Sequence, residues 1–169
     1  MIKAHNFIII LLFLISTSCS NKISSPEQMA NSLHASLKHN NFKQFGQLFA
    51  KQSDYQSWIQ SQQLQPGEVE DFNNRIALLK EKGFFSMDSL SVIFNQLIAH
   101  PLKKEPDFWK HAIITEYEGV EPELNNRGIE RADVYLTISG KNVSFTLRTG
   151  EMYKPGQKWI ITGFPKWLN

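Results

Sequence analysis

Arg131, Asp133 and Tyr135 follow one another at alternate positions, with Arg148 beyond a turn. On an extended segment residues two apart share a face, so a carboxylate, a phenol and guanidinium groups could converge there. Arg127, Arg131 and Arg148 could then hold an anionic ligand, with Asp133 and Tyr135 lining a cavity. Surface ion pairs account for the same residues without any ligand. Glu116 and Glu118 also share a face of an extended segment, and paired carboxylates can work as acid and base when burial separates their pKa values. Glu121 and Glu123 follow closely, so the simpler expectation is an acidic, solvated rim.

Nothing else in the chain makes a stronger catalytic pattern. His34, His39, His100 and His111 never fall three or four residues apart, the step that places two imidazoles on one helical face for a metal. No metal site or cofactor is therefore expected. No glycine-rich phosphate loop and no Gly-x-Ser-x-Gly elbow is present, and no residue is assigned as catalytic. Lys154, Lys158 and Lys166 lie among Tyr153, Trp159 and Trp167. Such a mixture can touch anionic headgroups or form a solvated edge that discourages strand pairing.

Eighteen basic and 16 acidic residues leave a formal charge of +2, too small a surplus to suggest nucleic acid as a partner.

The elements that must position these residues fall into two halves. Ser25, Pro26 and Gln28 mark a helix start, with proline in the first turn and a capping box. Met29, Ala30, Leu33 and Leu37 then recur at helical spacing until Asn40 and Asn41 interrupt it. A second apolar face, Phe42, Phe45, Leu48 and Phe49, predicts another short helix. Ser53 or Asp54 would cap a third, with Tyr55, Trp58 and Ile59 on its buried side. Pro66 and Gly67 break the chain before a helix carrying Val69, Phe72, Ile76 and Leu79, closed by Gly83. A last helix opens near Ser86, shows Leu90, Ile93, Phe94, Leu97 and Ile98, and is bounded by Pro101.

After Pro101 the period changes to two. Val134, Leu136 and Ile138 alternate with polar residues, as do Val143, Phe145 and Leu147, predicting antiparallel strands joined at Gly140 to Asn142. Ala112 to Tyr117 reads as an earlier strand, Glu121 to Gly128 as an exposed connection, and Trp159 to Phe164 as a strand after the turn at Pro155 and Gly156. Helices followed by strands imply an α+β domain, its N-terminal helices packed on one face of a C-terminal antiparallel sheet of about four strands.

The N-terminal residues read differently. Lys3 precedes the apolar run Phe7 to Ile15, then Ser16, Thr17, Ser18 and the only cysteine, Cys19. Nine apolar residues fall well short of the about 20 that a helix needs to cross a bilayer, so the pattern is that of an export signal. It resembles the lipobox of bacterial lipoproteins, whose cysteine becomes the diacylated N-terminus, and Cys19 is the matching residue. Position −3 holds Ser16 where leucine is commonest, and Ser16 with Ser18 would equally suit ordinary signal cleavage. The resemblance implies a signal peptide over 1–18, a lipidated cysteine and short tether over 19–25, and a single domain over 26–169. It also implies attachment to a membrane through Cys19. Ser20, in place of aspartate after the cysteine, points onward to an outer membrane. The leader holds Lys3 and no acidic residue, so the formal charge falls to +1 when it is removed.

The helical arm Met29 to Phe49 and the closing strands from Ala132 to Phe164 are similar in order to NTF2-like (SnoaL-like) proteins, in which helices close a curved sheet around a cavity. That resemblance implies a small cavity enzyme or small-ligand-binding protein. Without it, the residues suggest a membrane-tethered, noncatalytic binding or interaction module of the cell envelope, whose partner is an unidentified protein or a small apolar ligand. An immunity-type protective lipoprotein is a specific version of the same expectation.

Overall fold

The computed structural model describes residues 23–62, 64–125 and 128–168. Cys19, the leader and Arg127 lie outside the described residues. Among the described residues six helices precede every strand: α1 (Pro26–Lys38), α2 (Phe42–Gly46), α3 (Gln52–Ser61), α4 (Pro66–Glu81), α5 (Met87–Leu102) and α6 (Phe108–His111). The strands are β1 (Ile113–Glu118), β2 (Glu123–Leu124), β3 (Glu130–Ser139), β4 (Ser144–Tyr153), β5 (Ile160–Ile161) and β6 (Lys166–Trp167). They form one antiparallel sheet in which β1 and β2 share one side of β3, while β5 and β6 share the far side of β4. The chain is α+β, with helices in its N-terminal half and the sheet in its C-terminal half.

The helix starts follow local chemistry closely, with small displacements. The Ser25 hydroxyl accepts the Gln28 N–H at 3.2 Å, but the Gln28 amide oxygen reaches back to the N–H of Ser24, at 2.9 Å, rather than that of Ser25. The third helix begins before Ser53, because Asp54 accepts the Lys51 N–H at 2.7 Å and so serves as its third residue, not its cap. The second helix stops at Gly46, and Leu48 to Ala50 instead run beside β5: Ile161 N–H donates to the Leu48 carbonyl and Ala50 N–H to the Ile161 carbonyl, both at 2.9 Å.

Pro101 lies inside the last turn of α5 rather than beyond its end. A proline cannot donate to the carbonyl four residues before it, here that of Leu97. The indole Nε1–H of Trp167 donates to that carbonyl instead, at 3.0 Å. This tertiary bond explains how the helix continues past a residue that normally ends one.

Alternation in β3 puts Ala132, Val134, Leu136 and Ile138 against the helices, all buried. Their cross-strand neighbours Met152, Leu147 and Phe145 and the β5 residue Ile161 complete that face. It packs on Leu33 and Leu37 of α1, Phe45 of α2 and Phe94 and Leu97 of α5 as one hydrophobic core. Phe45 and Phe94 meet with ring centroids 5.0 Å apart. The turn between β3 and β4 is tied down by buried Glu105, whose carboxylate accepts the N–H groups of Lys141 at 2.8 Å and Asn142 at 2.9 Å. Those bonds hold its pKa below the usual carboxylate range, Asn142 first.

One irregularity decides what the opposite face carries. Opposite Val134, β4 places two residues, Thr149 and Gly150, in a bulge between the pairs Tyr135 with Arg148 and Asp133 with Glu151. Gly150 has φ +88°, and a Cβ there would meet the Gly163 carbonyl oxygen at 2.4 Å. Unbroken alternation from Arg148 would turn Gly150 and Met152 outward. The extra residue turns Glu151 and Tyr153 outward instead and buries Met152 completely.

Candidate functional site

Cross-strand partners point to the same side of a sheet, so Arg131 on β3, Tyr153 on β4 and Ile160 on β5 form one row on the face away from the core. The α3 and α4 hairpin approaches this row, while α1, α2 and α5 stay with the core face. Pro66 in its first turn starts α4 cleanly, and across the break the Trp58 and Phe72 rings meet edge to face at 4.3 Å. Arg75 of α4 then reaches Glu151 of β4 at 3.0 Å. The bulge that turns Glu151 outward is what makes this pair available.

Between the hairpin and the sheet lies a cleft of about 530 Å³. Tyr55, Trp58, Phe72 and Arg75 form its helical wall; Arg131, Tyr153, Ile160 and Thr162 form its sheet wall; Leu124 and Pro155 stand at the sides. Its volume is in the range of small-molecule sites, roughly 300–1,000 Å³. Arg75 and Arg131 are both neutralised locally, the second by Glu123 at 3.0 Å. That bond raises the Arg131 pKa. Leu124 is 70% exposed at the rim.

Two polar groups beneath the hairpin, the Tyr55 hydroxyl, which lies near the Thr162 hydroxyl, and Trp58 Nε1–H, are buried and make no well-formed hydrogen bond among the described residues. Thr162, a neighbour of Tyr55, donates its own proton to the Glu151 carbonyl at 3.1 Å. Burial pushes the Tyr55 phenol up to about 12, only partly opposed by Arg75 and then by Thr162. Tyr55 is therefore a neutral donor at ordinary pH. Leaving a buried donor unpaired costs about 1–3 kcal/mol, so this part of the structure is less favourable than its apolar packing alone would suggest.

The four residues singled out from the sequence share the outer face but do not act as one group. Arg131 lines the cleft. Asp133 and Arg148 instead form a forked pair, with Arg148 Nε donating at 2.9 and 3.0 Å and a second guanidinium nitrogen at 2.5 Å. Tyr135 donates to the same carboxylate at 3.4 Å. The bond to Asp133 raises the Arg148 pKa. These two charges and the phenol satisfy one another beside the cleft, without lining it.

Glu116 and Glu118 do share this face, opposite Thr137 and Tyr135, and both are exposed. Glu121 is exposed too, and Glu123 is occupied by Arg131. His100 stacks on Trp167 at 5.7 Å and His111 meets Asp107 at 3.3 Å. No cluster of three or more metal-ligating side chains occurs among the described residues. Lys154 pairs with Glu130 and lies 6.0 Å from the centre of the Trp159 ring, while Lys158 and Lys166 are exposed.

The cleft's principal walls, Tyr55, Trp58, Phe72 and Ile160, read in sequence as ordinary helix and strand packing. Tyr55 and Trp58 are indeed on the buried side of α3. What the spacing does not carry is that α3 and α4 bury that side against the outer face of the sheet. No protein-family model, curated protein or solved structure matches the chain.

Proposed function

We propose that the protein is a membrane-tethered lipoprotein of the bacterial cell envelope, exported, acylated on Cys19 and destined for the outer membrane, with its domain acting as a noncatalytic binding module. The observation that carries the binding role is the cleft under the α3 and α4 hairpin, where aromatic and aliphatic side chains line the walls together with Asp54, Asp71 and Asn125, and both arginines are already paired. A site of this kind recognises an apolar body with few polar features. The forked Arg148 and Asp133 pair supports the same reading, since its donors are spent within the protein rather than aimed at a substrate.

The tether is supported by the apolar leader ahead of Cys19, and no described helix is long and apolar enough to cross a membrane by itself. Two acyl chains, at about 0.8 kcal/mol for each buried CH₂, would hold a domain on a bilayer. The test is intact mass of the mature protein from a bacterial envelope, followed by titration of the full chain with small apolar ligands. A diacylated Cys19 and ligand-dependent shifts in Tyr55 or Trp58 signals are expected. An unmodified cysteine overturns the lipoprotein reading, and a cleft indifferent to every apolar ligand overturns the binding role.

A further inference from the structure

Ile23 and Ser24, just before α1, are bonded to Trp159, the chain neighbour of the cleft residue Ile160. Trp159 N–H donates to the Ile23 carbonyl at 3.3 Å, and its indole Nε1–H donates to the Ser24 carbonyl at 3.2 Å. Trp159 is buried, and the next residue, Ile160, faces the cleft. The segment before α1 is therefore pinned to one side of the β4 to β5 turn, while Tyr153, Pro155 and Ile160 present the other side to the cleft.

Only Ser20, Asn21 and Lys22 separate Cys19 from pinned Ile23. Four residue steps reach at most about 14 Å when fully extended. We infer that the mouth of the cleft is held at the bilayer surface and that its occupant is an acyl chain of a membrane lipid. This rests on the proposed acylation of Cys19. The site's own chemistry agrees with that occupant: Leu124 and Pro155 give the rim apolar surface, Ile129, Ile160 and Phe72 give the interior the same character, and Arg75 and Arg131 are each paired within the protein, alongside the lining carboxylates Asp54 and Asp71. Lys158 stands exposed on the turn, and Lys22 lies between Cys19 and Ile23 in the sequence; basic residues near an anionic surface add attraction. A ligand delivered along the membrane reaches this mouth without crossing water.

The test uses the full chain reconstituted in phosphatidylethanolamine and phosphatidylglycerol vesicles that contain a phospholipid with a photoactivatable diazirine in its acyl chain. After irradiation, label is expected on peptides spanning Asp54 to Arg75 and Tyr153 to Ile160. Leu124→Glu, at an exposed position that leaves the core untouched, is expected to lower that label at least about tenfold by placing a charge against the chain. Label confined to the tether, with Cys19 diacylated, overturns this inference and leaves the lipoprotein reading standing. Cleft label that is unchanged in Leu124→Glu also overturns it. An unmodified Cys19 with an unlabelled cleft removes both.

Discussion

Trp167 and Leu97 are joined by a hydrogen bond that the rest of α5 cannot make: the indole N–H meets, at 3.0 Å, the carbonyl left without a helical donor by Pro101. The same indole stacks on His100 and packs edge-on against Phe145. One side chain of the last strand thus seals both the end of a helix and the edge of the core.

Replacing Trp167 with phenylalanine keeps an aromatic ring but orphans the Leu97 carbonyl, and should cost about 1–3 kcal/mol in urea unfolding. In a Pro101→Ala background the restored backbone N–H can take over, so the cost of Trp167→Phe should shrink. A double-mutant cycle that finds the two changes additive, within about 0.3–0.5 kcal/mol, rejects this account.

Gly150→Ala should destabilise the domain by about 1–3 kcal/mol, because φ +88° is strained for alanine and the new methyl would press on the Gly163 carbonyl. Since the bulge also turns Glu151 toward Arg75, the variant should loosen the hairpin, seen as faster amide exchange in α3 and α4. Unchanged urea midpoint and exchange would show that the bulge is dispensable.

His34 lies on α1 beside Trp109, its Nε2 buried and without a hydrogen-bond partner among the described residues. Burial, reinforced by Lys38 and then His39, lowers its pKa from 6.5 to about 4. The unfolded chain therefore binds this proton first as pH falls. The stabilising contribution of neutral His34 is complete above pH 6.5 and is lost progressively toward pH 4. His34→Leu should flatten the loss of stability between those values; an identical acid slope in chemical denaturation at pH 7, 6, 5 and 4 would count against this assignment.

Tyr55 has the opposite dependence. Its folded pKa of about 12 against the ordinary 10.0 means that the unfolded state loses the proton first, so stability is full below pH 10 and falls between pH 10 and 12. Tyr55→Phe should remove that alkaline component, and Trp58→Phe should leave the ligand-free domain as stable or more stable, because each change deletes a buried donor that makes no well-formed hydrogen bond among the described residues. Thermal melts across this pH range would decide it. Marked destabilisation of both variants at neutral pH would mean that these groups do have partners in solution.

Much of the fold was legible because helices and strands are written in short periods. Ser25 and Pro26 start α1, Pro66 opens α4, and the alternation from Ala132 to Ile138 places those side chains on the core face. The bulge at Thr149 and Gly150 is different: it shifts the phase of β4 by one residue, and nothing in the local pattern says which side of the sheet Glu151 and Tyr153 will face. The charged residues were similarly ambiguous, since Arg131, Asp133, Tyr135 and Arg148 share a face whether they bind a ligand or one another.

The sequence by itself determined the two-halved α+β order, the starts of α1, α4 and α5 and the inward and outward faces of β3, because each depends on residues within a few positions of one another. Its leader and Cys19 likewise carry the proposal of membrane attachment without reference to the fold. Only the tertiary structure decided that α3 and α4 cover the outer face, that Arg131 alone of the four candidates enters the cleft, and that Trp159 holds Ile23 and Ser24 beside it. Those outcomes depend on partners as far apart as Arg75 and Glu151 or Ser24 and Trp159. Contacts over such separations are selected by packing and by the pairing of polar groups across the whole domain, and no short-range period encodes them.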